Sequence, residues 1–202
     1  MTASAGSPAT PRLAAPSLRY RRSFLEALRE GFRRGNQPAA DGARIREIER
    51  DFEGYLREIT DQSGMITLPG GEKVQKVPFS VRWLVEGEEF IGEAGIRHEL
   101  NDWLLREGGH VGYGIRPSRQ RRGYGRLILA LALEECRRLR IERVLVTCDD
   151  ENVASARIIE ANGGVLENLV ADPAGRGRLR RYWISLSTRK AAHQPGGGSP
   201  IQ

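Results

Sequence analysis

One short stretch, Gln120-Arg121-Arg122-Gly123-Tyr124-Gly125, restricts the fold more than any other, because of what flanks it. Upstream, His110 to Pro117 is an extended segment in which Val111, Tyr113 and Ile115 alternate with small residues, the period of a strand. Pro117 lacks an N–H and biases Arg116 away from helical angles, so the strand stops there. Downstream, Gly125 to Arg140 carries Ile128, Ala132, Cys136 and Leu139 on one stripe, widened by Leu127 and Leu131, which predicts an amphipathic helix. The stretch is therefore the turn between a strand and the N-terminus of a helix.

That location has a chemical consequence. The first turn of a helix presents N–H groups without intrahelical partners, and the helix dipole adds about half a positive charge. Gly123 and Gly125 let the backbone curl and approach a ligand, which makes an anion cradle suited to a phosphate or diphosphate. Arginine dominates the segment from Arg116 to Arg126, which holds no acid. A Gly-x-Gly after a strand also occurs as a plain tight turn, and an arginine run also suits a solvated face. The order strand, turn, helix, second strand favours the cradle.

With that order in place, Ile115-Arg-Pro-Ser-Arg-Gln-Arg-Arg-Gly-Tyr-Gly125 resembles the signature of GNAT-type N-acetyltransferases, whose pattern Gln/Arg-x-x-Gly-x-Gly/Ala is met by Gln120, Gly123 and Gly125. The resemblance continues through Arg143 to Asp149, Asn152 and the Gly163-Gly164 pair, and more loosely spans Leu18 to Arg189. It implies an α/β GNAT fold: a mixed, twisted sheet of about six to seven strands, its central parallel strands splayed, flanked by about four helices. It implies that the loop Gln120 to Arg126 binds the diphosphate of acetyl-coenzyme A through backbone N–H groups. Tyr113, Gly114 and Ile115 are the positions that pair with the pantetheine arm, and Asn152 and Ser155 are the matching coenzyme positions on the next helix. Asn152 is equally a natural helix N-cap.

For the chemistry, the resemblance implies direct attack by a neutral amine, with a general base and a general acid. Many members carry an acid tyrosine at the position occupied here by Ile159, which cannot donate a proton. Tyr182 and water are the alternatives. The family's base near the start of the central strand corresponds most closely to His110, whose unperturbed pKa suits the task; a lone histidine there is more often a polar edge residue. Glu93 and His98 are rivals.

The rest of the chain fits one domain. Its 202 residues suffice for one core and are too few for two large ones. Residues 1–17, rich in Ala, Ser and Pro, and 191–202, with Pro195-Gly-Gly-Gly-Ser-Pro200, are expected to be disordered tails around a domain of 18–190. Leu18–Tyr20 suggests a short first strand. Arg21–Phe32 predicts a helix with Phe24, Leu25, Leu28 and Phe32 on one face. Asp41 caps a second helix running to Thr60, with Ile45, Ile48, Phe52, Tyr55, Leu56 and Ile59 in one stripe. Ser63–Lys76 reads as a Gly-rich loop. Val81–Glu86 and Phe90–Arg97 predict a hairpin through Gly87-Glu88. Trp103, Leu104 and Leu105 suit a short helix in the following connection. The strand Arg143–Cys148 is expected to pair parallel to strand 110–116 through a right-handed crossover. Helix Asn152–Asn162 should turn Val153, Ala156 and Ile159 inward and end at Gly163-Gly164. Val165–Val170 and Arg180–Ser187 form a final antiparallel pair, and the basic run Arg176, Arg178, Arg180, Arg181 is expected to be solvated.

The formal charge of +6 suits phosphate-bearing partners without choosing between coenzyme and nucleic acid. No nucleic-acid motif accompanies the basic runs, so no nucleic-acid partner is expected. No apolar run reaches membrane-spanning length and the N-terminus lacks an apolar signal core, which leads to expectations of a cytoplasmic protein, monomeric or homodimeric, without a metal. Cys136 and Cys148 suit reduced core thiols. The acceptor is a small-molecule or peptide amine. The rival reading is a non-catalytic acyl-coenzyme A sensor on the same fold.

Overall fold

The protein was analysed as a computed structural model that describes residues 9–35, 37–68, 71–172, 175 and 177–186. The strand β1 (Arg12–Ala14) opens the fold and pairs antiparallel with a later strand, so the expected N-terminal tail contains sheet. Leu18–Tyr20 is a 3-10 turn rather than a strand, because the Ser17 side chain accepts the Arg19 N–H and caps it. It leads into α1 (Arg21–Arg29), which buries Phe24, Leu25 and Leu28.

The helix expected from Asp41 to Thr60 is broken in two: α2 (Gly42–Arg50) and α3 (Phe52–Thr60). Asp51 leaves helical angles (φ −129°, ψ 73°), and its carboxylate accepts the Gly54 N–H at 2.7 Å, which starts α3 afresh. The apolar stripe continues across the break, so Ile48, Phe52, Tyr55 and Ile59 are all buried. The presumed loop that follows is a hairpin of β2 (Met65–Thr67) and β3 (Lys73–Gln75).

The long hairpin β4 (Phe79–Glu86) and β5 (Glu89–Arg97) turns at Gly87 (φ 61°) and is the middle of a four-stranded sheet, β1-β4-β5-β6, closed by β6 (Val111–Ile115). A π-helical turn, Leu104–Gly108, joins β5 to β6 and buries Leu104 while Leu105 stays exposed. Next come α4 (Tyr124–Arg138), β7 (Arg143–Asp149), α5 (Val153–Glu160), β8 (Val165–Ala171) and β9 (Arg178–Ser185). The last three strands form a second sheet in the order β7-β9-β8. The seven strands of these two sheets match the expected number, and the broken helix raises four expected helices to five among the described residues.

Each face of the sheets has its own core. On one side α4 and α5 pack Ile128, Leu129 and Ile159 against Leu84, Val146 and Tyr182. On the other, α1, α2 and α3 surround an aromatic nucleus in which Phe24 stacks on Trp83 with centroids 4.7 Å apart. Val153 and Leu139 were expected to point inward; both are exposed because each lies at a helix end beyond the reach of the sheet. The second basic run is not simply solvated. Arg178 and Arg180 pair with Asp150, and Arg181 pairs with Glu167, joining β7, β8 and β9. Gly163 (φ 86°) ends α5 as expected, with the Gly164 N–H reaching back to Ile159 O at 3.0 Å. The C-terminal tail expectation lies outside the described residues.

Candidate active site

The site is organised by a gap between β6 and β7. No ladder joins these strands, contrary to the expected parallel pairing. Their hydrogen bonds meet at one vertex, just ahead of β6: the His110 N–H donates to Leu145 O at 2.7 Å, and the Leu145 N–H donates back to His110 Nδ1 at 3.0 Å. Beyond the vertex the strands diverge, as the splay expectation required.

His110 is thus a clamp. It is 7% exposed, and accepting the Leu145 N–H requires an unprotonated Nδ1. Burial, and then the nearby charge of Arg97, push its pKa down to about 4. The expected role as a base fails on this geometry, since the basic nitrogen is already occupied.

The divergence opens a cleft of about 610 Å³, lined by Gly114 and Ile115 from β6, Asp149 at the end of β7, Asn152 just after it, Phe32 from the α1–α2 connection, and Gln120. Gly114 is required there: a Cβ would stand 2.5 Å from Arg33 O, where the α1–α2 connection crosses the strand. Pro117 and Gln120 carry the lining into the loop that precedes α4. Gly123 (φ 84°) takes the left-handed conformation that turns the chain into the helix. The first amide bonded inside the helix is that of Leu127, to Gly123 O at 3.1 Å, so the N–H groups of Tyr124, Gly125 and Arg126 have no protein partner among the described residues. Gly125 serves packing instead of ligand approach, because a Cβ would meet the end of the Ile158 side chain at 2.6 Å.

The arginines of this segment divide into two sets. Arg116 and Arg119 are neutralised from elsewhere in the chain. Arg116 donates to Glu30 through Nε and Nη2, and Arg119 pairs with Glu89. Glu30 also accepts the Ser118 N–H, which fixes the loop's first turn. Hydrogen bonds from Arg116 hold the Glu30 carboxyl down to about 2. Arg121, Arg122 and Arg126 are exposed and make no ion pair among the described residues. The Gln120 side chain ties the loop to Ile115 O at 3.2 Å, and Tyr124 donates to Glu86 at 2.9 Å. The arrangement can hold a polyanion with backbone amides and free guanidinium groups.

Asn152 caps α5 as expected, by accepting the Ser155 N–H at 3.0 Å, and it also lines the cleft. Ser155 and Tyr113 form a pair that sequence reasoning missed: their hydroxyl oxygens are 3.1 Å apart across the splay. Strand alternation, which turns Tyr113 to the same face as α5, was the available signal. Burial pushes the Tyr113 phenol up to about 12. Tyr182 is fully buried and its hydroxyl donates to Glu160 at 3.0 Å, away from the cleft, so it is not placed as the acid. Glu93 is buried on the α1–α3 face, where one oxygen accepts Arg34 Nε at 2.6 Å and the other Trp83 Nε1 at 2.9 Å. A carboxylate so engaged is an anchor for Arg34 and a poor base. His98 bonds Ser80 at 2.8 Å on the neighbouring strand. Among the described residues no group of His, Cys, Asp or Glu could hold a metal ion, and no helix is long and apolar enough to cross a membrane.

Residues 45–165 match the family described as acetyltransferase (GNAT) domain. No curated protein matches the chain in sequence. Among solved structures, the chain is similar to the aminoglycoside acetyltransferase AAC(6')-Ib in complex with coenzyme A, at a TM-score of 0.59 and 14% identity, covering 88% of this chain and 95% of that one. It is also similar to the spermidine/spermine N-acetyltransferase SpeG from Vibrio cholerae, at 0.56 and 16%, covering 87% and 93%. A third is RimL, a ribosomal-protein alpha-N-acetyltransferase in complex with coenzyme A, at 0.55 and 13%, covering 87% and 94%. At these identities the likeness is one of fold.

Proposed function

The chain belongs to the GNAT acetyltransferase family, and on that premise we propose that it transfers acetyl from acetyl-coenzyme A to a primary amine by direct attack. One observation carries the proposal: two strands that fail to pair leave a cleft lined by Pro117 and Gln120, the loop that leads into the unpartnered amides beginning α4. The diphosphate rests on the N–H groups of Tyr124, Gly125 and Arg126, with Arg121, Arg122 and Arg126 around it. The pantetheine arm lies beside Gly114 and Ile115 and takes the place of the absent strand partner. Gln120 and Gly123 shape the loop, and Asn152 and Ser155 border the arm from α5.

The amine attacks the thioester carbonyl in its neutral form, a tetrahedral carbon forms, and the C–S bond breaks. The thiolate takes a proton from the Tyr113–Ser155 pair. The Tyr113 phenol is protonated at neutral pH and its hydroxyl meets Ser155 at 3.1 Å, so it supplies the proton where the family's tyrosine is replaced by the buried Ile159. The amine's own proton passes to water, since the His110 lone pair is taken by the Leu145 N–H and the Glu93 carboxylate is paired with Arg34 and Trp83 outside the cleft lining.

Thiol release from acetyl-coenzyme A across an amine panel tests the proposal. Turnover with at least one amine is expected. Binding of acetyl-coenzyme A with no thiol released from any amine would leave a sensor; absence of binding would remove the cradle.

A further inference from the structure

A second cavity, of about 380 Å³, lies on the α1–α3 face of the sheet, next to the donor cleft. Gln37 lines both cavities, so the two are neighbours. Its floor is bare backbone at Gly95, which pairs with Gly112 on β6; a Cβ at Gly112 would meet nothing within 4 Å. Gly112 is two positions before Gly114, so the floor runs toward the strand positions assigned to the arm. Ile59 and Phe79 give the cavity apolar walls.

The charges around it are unequal. Arg34 is paired with Glu93, Lys76 with Asp61, and Glu58 with Arg44. Arg97 is the exception: it donates only to backbone carbonyls, Gly108 O at 3.2 Å and Gly109 O at 3.1 Å, both through Nη1, and no carboxylate faces it among the described residues. Its guanidinium is consequently a half-buried cation with unused donors at the cavity wall. Trp103, another wall residue, has a buried Nε1–H with no partner. The Asn101 carbonyl is used by the Leu104 N–H, which leaves its amide donors. Unmatched donors and an uncompensated charge in a buried wall are costly unless something fills them.

We propose that this cavity binds the acceptor, and that the acceptor is an amine carrying a carboxylate, held by Arg97 and Trp103. The inference rests on the acetyl-transfer assignment and adds the substrate class. Gly95 and Arg97 lie two strand positions apart, about 7 Å. A dipeptide, with its amine over Gly95 and Gly112 and its carboxylate on the Arg97 guanidinium, is the probe that tests both ends. Polycations such as spermidine are excluded by the charge of Arg97.

The test compares glycyl-L-leucine, glycyl-L-leucinamide and spermidine with acetyl-coenzyme A, by thiol release at a pH above the pKa of both peptide amines. The wild type should favour the carboxylate over the amide by about tenfold or more in kcat/KM, the worth of one charge-assisted hydrogen bond. Arg97→Met should erase that preference, bringing kcat/KM for the two peptides to within about twofold of each other; a purely structural arginine would lower both rates and leave their ratio as it was. Trp103→Phe should weaken the preference without removing it. Equal rates for the two peptides, a preference for spermidine, or a ratio unchanged in R97M would overturn the proposal. A titration of tryptophan fluorescence with N-acetylglycyl-L-leucine reads the cavity without turnover. If thiol is never released but this anion saturates the wild type and not R97M, the transfer assignment fails and the anion site stands. No saturation of the wild type overturns the site.

Discussion

The hydroxyl oxygens of Tyr113 and Ser155 stand 3.1 Å apart, although 42 positions separate the strand of one from the helix of the other. The contact spans the gap that the backbone leaves between β6 and β7. It places a protonated phenol beside the proposed path of the donor sulfur, and it gives the first prediction. Tyr113→Phe keeps the ring and removes the proton, so kcat should fall about 100-fold, while the affinity for coenzyme A changes by less than about threefold. Ser155→Ala should fall in the same direction. Thiol release and calorimetric titration with coenzyme A separate the two effects. A tyrosine that only packs would tolerate the phenylalanine.

Gly123→Val should abolish binding of acetyl-coenzyme A. A β-branched residue at φ 84° costs about 1–2 kcal/mol in backbone strain and moves the amides that follow. Gly125→Ala should do less, because the atom it meets is the flexible end of Ile158. Calorimetry measures the first effect, and circular dichroism confirms that the fold survives.

Stability should fall on acidification because of His110. Its pKa is lowered from 6.5 to about 4 in the fold, so between those values the unfolded chain binds a proton that the folded one refuses. The contribution is complete above pH 6.5, decreases as pH falls, and is gone below about 4. Its full size is about 3 kcal/mol. His110→Asn offers an oxygen to the Leu145 N–H without titrating, so its melting temperature should decline less over that window. The pH profile of kcat/KM should follow the amine's own ionisation, with no inflection near 6.5.

Glu30→Gln should raise the KM for acetyl-coenzyme A several-fold, by releasing Arg116 and the Ser118 N–H that position the loop. It should also cost about 1–3 kcal/mol in denaturant unfolding, since the charges left to Arg116 are the more distant Glu26 and Glu89, beside its hydrogen bond to Ser23. The carboxyl is lowered from 4.5 to about 2, so its stabilising effect is present above 4.5 and lost as pH falls through about 2. That window lies below the one set by His110, which lets the two be told apart.

The sequence-legible parts were those governed by local rules. The turn between β6 and α4 was readable because a proline, a strand period and a helical stripe agree within a few residues of Gly123. The hairpin at Gly87 and the end of α5 at Gly163 followed from turn chemistry. What escaped was decided by partners distant in the chain. Asp51 broke a continuous apolar stripe by capping α3, which periodicity cannot register. Arg12–Ala14 became a strand because β4 offered an edge. The acids that neutralise Arg116 and Arg119 come from α1 and β5, so a charge count within the loop overstated its field. His110 looked like a base until the Leu145 N–H was found on its nitrogen.

The vertex at His110 and Leu145 also bears on how the molecule holds together. Past that point the two sheets share no rung, and whatever molecule enters the gap supplies hydrogen bonds that the polypeptide omits. The unfolded chain cannot make use of that molecule, so stability rises with occupancy, by about 2.7 kcal/mol at one hundred times the dissociation constant. On the proposed binding mode, the β-structure is one that its own substrate finishes building.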